Sequence, residues 1–513
     1  MNEMIHSAEE RAPNYLSPRC SGILLPVASL PGPYGIGELG QTALDWLDFL
    51  CDCGQKIWQI LPLNPIGYGH SPYQSVASLA CEPLLISLEE LHRDGLLLGK
   101  ELPTPSFGNH IAYGAIEKKR MELLKRAAER FLTDGCGADF TEFCWREVGW
   151  LEDHALFQVL WKYFQYKPWV DWPEPLRKRD KGALGRMREQ FSGELAVQRV
   201  LQYFFHRHWE AIRQRARELG IKIVGDLPIF VSSDGADVWA HGELFDLNPD
   251  GRPRVVAGVP PDYFSATGQR WGNPLYRWEI HEREDYAWWV TRLRRAMGLH
   301  DVLRVDHFRG FADYWEIPAE KPTAVEGRWV RGPGKEFFVA AGRQLGTLPL
   351  IAEDLGILSD DAVELRKSLV LPGLRILLFA FDDYCEKSPF LPENFGENCV
   401  AYTGTHDNDT VLGTFFDGPN GTEEERQMRA KRRSILEKIL PEPYQSLPLG
   451  QALLAWLANS EAQWVIFPMQ DVLQLDGNAR TNVPGKASGN WEWKLDGKSL
   501  GSVDRNFLRR LRP

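Results

Sequence analysis

Eight short apolar runs punctuate the chain, at 22–30, 56–63, 221–229, 302–308, 350–355, 373–381, 399–405 and 463–469. Several are nearly continuous Val, Ile and Leu, as expected of parallel strands buried on both faces. Helical periodicity fills many of the gaps, for instance GELGQTALDWLDFLCDCG before the second run and HRHWEAIRQRARELG before the third. Strand–helix alternation predicts an α/β fold, and a count of eight predicts a closed (β/α)8 TIM barrel.

The spacing of the runs is uneven. Residues 64–205 are rich in helical sequence such as IEKKRMELLKRAAERFL and EDHALFQVLWKYFQ. That stretch is too long for one loop and predicts an inserted, largely helical subdomain. Residues 231–300 carry Pro, Gly and aromatics (VPPDYFSATGQRWGNPLYRW), which predicts a long ordered lid over the barrel mouth. The last run ends at residue 469, leaving little beyond a short tail, so the expectation is one catalytic barrel over 1–513 with no C-terminal β-domain.

Composition narrows the function. With 513 residues and 43% hydrophobic content a large core is possible. The formal charge of −11 argues against a nucleic-acid partner, and the basic run RKRDKGALGRMR at 177–188 reads as a solvated helical surface. The polar start MNEMIHSAEERAPNY has no apolar h-region, and no stretch approaches the roughly 18 apolar residues of a membrane span. The expectation is a cytoplasmic protein with no membrane partner. Cys51 and Cys53 form a C-x-C without a second Cys/His pair nearby, so they read as ordinary thiols ending an amphipathic helix. With no EF-hand loop and no dinucleotide or phosphate loop, no metal and no cofactor are expected.

The candidate chemistry lies where three runs break into polar, Gly-rich sequence: Asp306 in VLRVDHFRG, Glu353 in PLIAEDLG and Asp407 in VAYTGTHDND. Parallel barrels carry their chemistry at that end of the strands. Alternation puts Arg304 and Asp306 on one side of their strand, and an arginine beside an aspartate favours the charged carboxylate. A charged carboxylate suits a glycosyl nucleophile. Glu353 enters from the next strand, where the charge of Asp306 would help keep it protonated, as a general acid requires. A third carboxylate, Asp407, could bind sugar hydroxyls and favour an oxocarbenium-like ring. One strand-end acid is as readily a helix cap. Three, flanked by Arg304, His307, His406 and Asn408, point to a shared site for glycosidic bond cleavage.

At these residues the chain resembles the 4-α-glucanotransferases (amylomaltase, or disproportionating enzyme) of glycoside hydrolase family 77, in the α-amylase clan. The matching blocks are GPYGIGELG at 32–40, QILPLNPIGYGHSPYQS at 59–75, GDLPIFVSSDGADVW at 225–239, GVPPDYFSATGQRWGNPLY at 258–276, LRVDHFRGF at 303–311, AEDLG at 352–356, GTHDNDT at 404–410 and RTNVPG at 480–485. The resemblance implies a retaining transglycosylase of carbohydrate metabolism. Such an enzyme moves an α-1,4-glucan segment from one maltooligosaccharide or glucan to the 4-hydroxyl of another. It implies Asp306 as nucleophile, Glu353 as acid/base and Asp407 as the transition-state-stabilising carboxylate. It further implies that Arg304 and His406 line the −1 subsite, that Asp226 closes its floor, and that Tyr73 and Trp271 contact sugar. Asp262 and Asn482 match positions on loops flanking the glucan groove. Within the sequence, a retaining α-glucan hydrolase of the same clan and a non-catalytic glucan-binding protein remain alternatives.

Overall fold

A computed structural model describes residues 12–261, 265–356, 358–383, 385–416, 422–486 and 488–511. Each of the eight apolar runs carries one strand of a closed parallel barrel. These are β1 (Cys20–Leu24), β2 (Ile57–Gln59), β3 (Lys222–Pro228), β6 (Val302–Asp306), β9 (Leu350–Ala352), β10 (Gly373–Ile376), β11 (Cys399–Tyr402) and β12 (Trp464–Pro468). The circuit runs β1-β12-β11-β10-β9-β6-β3-β2, every pair parallel. Ile57, Trp58, Ile223, Val224, Leu303, Ile351, Val400 and Ile466 are fully buried, as strands covered on both faces require.

Between β2 and β3 the chain is helical. Its principal helices are Tyr113–Thr133, Val148–Tyr163 and Ser192–Glu218. In the first of these Leu123, Leu124, Ala127 and Ala128 are buried, one stripe at helical spacing, while the intervening charges face water. The basic run at 177–188 is paired on the surface: Arg179 donates to Asp153 at 2.7 Å and Lys178 lies 2.6 Å from Glu174. Helix Gln41–Asp52 ends at the C-x-C, and none of the eight cysteines is in a disulfide.

A second sheet stands beside the barrel. Its antiparallel strands, in the order β5-β4-β7-β8, are β4 (Val255–Val259), β5 (Gln269–Pro274), β7 (Asp313–Pro318) and β8 (Arg328–Arg331). The described part of residues 231–300 therefore holds two strands as well as the helices Ala236–Ala240, Trp278–Arg283 and Ala287–Leu299. The strands are hard to read locally, because β5 is exposed at its start and glycines at positive φ, Gly268 and Gly272, interrupt any alternation. Among the described residues no strand follows β12. Among them, too, no helix is long and apolar enough to cross a membrane.

Candidate active site

Barrel register assembles the site. Asp226 of β3 lies opposite Arg304 of β6, and Pro228 opposite Asp306. On the other side Arg304 lies opposite Ile351 and Val305 opposite Ala352. Glu353, whose backbone N–H donates to the carbonyl of Val305 at 3.1 Å, carries that ladder one step past β9. Side chains in matched register share a face. Asp226, Arg304, Asp306 and Glu353 thus converge at one barrel end.

Arg304 is their centre. Its Nη1 donates to both carboxylate oxygens of Asp226, at 2.8 and 2.7 Å, and to Oδ1 of Asp306 at 3.1 Å. Its Nη2 lies 3.9 Å from Oε2 of Glu353. Three carboxyl groups around one cation carry excess negative charge, which raises their affinity for a proton. Exposure separates them: the side chains of Asp226, Glu353 and Asp306 are 0%, 16% and 28% exposed. Burial is the larger cause pushing Glu353 up, to about 8, with Arg304 pulling down and the charge of Asp306 pushing up. The sequence reading named the Asp306 charge; burial contributes more. Asp226 is also shifted upward, by burial first, with Arg304 opposing.

Asp407 arrives differently. It lies in the loop after β11, not at the strand end, and its side chain is 45% exposed. Asn482 Nδ2 donates to Asp407 Oδ1 at 2.6 Å, and His406 Nε2 lies 3.4 Å from the same oxygen. Tyr73 joins the two groups. Its hydroxyl donates to Asp226 Oδ2 at 2.9 Å, and its ring stacks on His406 with centroids 5.0 Å apart and planes 16° from parallel. Trp271 on β5 meets His307 edge to face at 4.9 Å. Asp262 lies outside the described residues. The remaining sequence-derived candidates, Tyr73, Asp226, Trp271, Arg304, Asp306, Glu353, His406, Asp407 and Asn482, form one connected cluster.

With this geometry in hand, residues 25–499 match the family model described as 4-alpha-glucanotransferase, glycoside hydrolase family 77. The chain belongs to that family. The 4-alpha-glucanotransferase of Thermus thermophilus is 46% identical over 488 residues, 93% of this chain and 95% of the relative. That of Aquifex aeolicus is 41% identical over 495 residues, 96% and 98% of the two chains. Among solved structures, an amylomaltase from Streptococcus agalactiae in complex with acarbose superposes with a TM-score of 0.89 at 36% identity, over 96% of this chain and 98% of that one. An amylomaltase from Corynebacterium glutamicum, TM-score 0.74 at 19% identity over 98% and 76%, shares the fold. The 4-α-glucanotransferases transfer glucan segments between chains.

Two side chains of this cluster, those of Arg480 and Trp491, were not singled out from sequence, and His307, named there for its position, contributes through its backbone. Arg480 donates to the carbonyls of Asp407 and Asn482, at 2.5 and 2.7 Å, and locks the two loops together. Trp491 packs against both Tyr73 and His406, at 5.8 and 5.9 Å. The backbone N–H of His307 donates to Glu353 Oε2 at 2.5 Å. Arg480 opens the RTNVPG block and was within reach of a motif argument. Trp491 was one of nineteen tryptophans with nothing local to mark it.

Proposed function

We propose that this chain transfers an α-1,4-glucan segment by double displacement with net retention. Glu353 donates its proton to the glycosidic oxygen as Asp306 attacks the anomeric carbon, giving a β-linked glucosyl ester on Asp306 and releasing the reducing-end fragment. Glu353, now a carboxylate, takes the proton of an acceptor 4-hydroxyl, whose oxygen attacks the same carbon and frees Asp306. Asp407 hydrogen-bonds sugar hydroxyls and stabilises the oxocarbenium-like ring. Arg304 and His406 line the −1 subsite, and Asp226, held by Arg304 and Tyr73, closes its floor.

One observation carries this reading: Asp306 and Glu353 share a single guanidinium yet sit in unlike surroundings. Asp306 accepts a direct charge-assisted hydrogen bond, whereas Glu353 is more buried and has the raised proton affinity an acid requires. Maltooligosaccharides and α-1,4-glucans serve as donor and acceptor. The acarbose held by the Streptococcus agalactiae amylomaltase, an oligosaccharide mimic, supports a site of that class. No cofactor or metal enters the scheme, and we assign the protein to the cytoplasm.

We further read residues 64–205 as an inserted subdomain of the single catalytic unit and residues 231–300 as the cover of the mouth. Tyr73 and Trp271 offer aromatic faces to sugar, and Asn482 flanks the glucan groove. Such a cover favours a sugar hydroxyl over water as acceptor. Incubation with maltotriose tests this: a ladder of longer maltooligosaccharides together with glucose is expected. Only shorter sugars would reassign the chain as a hydrolase, and intact maltotriose as a binding protein.

A further inference from the structure

Two consecutive buried residues beyond β12, Gln470 and Asp471, lie in the helical turn Met469–Val472. Each faces a different loop of the site. Asp471 Oδ2 accepts from the hydroxyl of Thr403 at 2.6 Å, and Oδ1 accepts from the backbone N–H of Val411 at 2.7 Å. Thr403 and Val411 bracket the loop that carries His406 and Asp407, so the two oxygens of one carboxylate hold its two ends. Gln470 Nε2 donates to the carbonyl of Ala479 at 3.2 Å and to Oγ1 of Thr481 at 2.8 Å. That pins the segment leading into Asn482, whose amide meets Asp407 at 2.6 Å.

The loop has internal ties, yet these do not anchor it to the barrel. Asn408 Oδ1 accepts from the N–H and the hydroxyl of Thr405, at 2.7 and 3.0 Å. They shape the turn, and from outside it Tyr73 stacks on His406 and Arg480 donates to the Asp407 carbonyl. Asp407 itself is 45% exposed and needs a reference on something rigid. Gln470 and Asp471 supply it, because their turn continues directly from a fully buried barrel strand. Burial pushes the Asp471 carboxyl up to about 6, while the Thr403 hydroxyl and the Val411 N–H that donate to its two oxygens favour the charged form.

We propose that Gln470 and Asp471 form a clamp that positions the Asp407 carboxylate over the reacting sugar. Asp471 sets the loop bearing Asp407, and Gln470 sets the loop that brings Asn482 onto it. Neither touches substrate; both are positioning residues. The inference rests on the reading of Asp407 as the transition-state-stabilising carboxylate.

Steady-state transfer from maltotriose tests the clamp in Asp471→Asn, Thr403→Val and Asn482→Ala, alone and in pairs with Asn482→Ala, with thermal melts on every variant. Asp471→Asn keeps the shape and removes one acceptor oxygen. Its kcat should fall about 10–100-fold, the scale of a small misplacement of a catalytic group, with KM within about twofold. Thr403→Val, a milder change, should lower kcat about fivefold. Each should lose less in the Asn482→Ala background than alone, because both routes act through Asp407. Losses that multiply, or that track the folded fraction, would overturn the clamp. Near-normal kcat in Asp407→Asn would overturn the reading of Asp407 instead. If Asp471→Asn does not fold, Thr403→Val decides by the same criteria.

Discussion

Oε2 of Glu353 accepts a 2.5 Å hydrogen bond from the backbone N–H of His307, whose backbone is left-handed at φ 50°. His307 follows Asp306 directly. The turn that ends β6 therefore aims a donor at the neighbouring acid, and the two reacting carboxyls are tied through one peptide. A non-glycine residue in the left-handed region is a strained choice, of the kind that persists where surrounding structure demands it.

A pH profile follows from the Glu353 environment. Its carboxyl is raised from the usual 4.5 to about 8, chiefly by burial. The acid form needed for the first displacement is therefore held through neutral pH and lost above about 8. In maltotriose transfer, kcat/KM should fall on the alkaline side with a midpoint near 8. A basic limb centred near 5 would contradict the assignment.

The same shift has a stability consequence of definite sign. Because the folded-state value lies above the unfolded one, the folded protein binds more protons between about 4.5 and 8, and stability falls as pH rises through that window. Glu353→Gln, which cannot ionise, removes this dependence. The melting temperature of the variant relative to wild type should rise from pH 5 to pH 8.5, while kcat drops by about 10²–10⁴-fold. A constant difference across pH would show that Glu353 is not buried as described.

Asp306→Asn removes the nucleophile and leaves Arg304 bound to Asp226 by two hydrogen bonds. Transfer should fall by more than about 10³-fold with the melting temperature nearly unchanged. Residual transfer near the wild-type rate would remove Asp306 from the mechanism.

Arg304→Leu should cost stability as well as transfer. Asp226 is fully buried, and without the guanidinium it must hold an uncompensated charge or take up a proton, with Tyr73 as its remaining hydrogen-bond partner. Loss of one partner from a buried pair costs about 3–5 kcal/mol. Chemical denaturation should report a loss of that order, larger at pH 7 than at pH 4, where Asp226 can neutralise. Tyr73→Phe should cost only about 1 kcal/mol, since Arg304 remains.

Much of this molecule was legible in one dimension. Each of the eight apolar runs became a barrel strand because a strand buried on both faces must be apolar throughout, a property visible without partners. Asp306 and Glu353 were legible because they end such runs. The β5-β4-β7-β8 sheet was not: its strands are short, partly exposed and joined across the intervening β6, so pairing rather than pattern defines them. Arg480 and Trp491 were missed for a related reason, as their partners lie 73 residues away in Asp407 and at Tyr73 and His406.

Sequence alone determined the fold class, the strand ends where acids emerge, and the family motifs, since hydrophobic pattern and residue identity are local properties of a chain. Only tertiary structure showed that burial, more than the charge of Asp306, raises the proton affinity of Glu353. Proton affinity depends on burial and on charges brought close by strand pairing, and Glu353 meets Arg304, His307 and Asp306 through the pairing of β9 with β6.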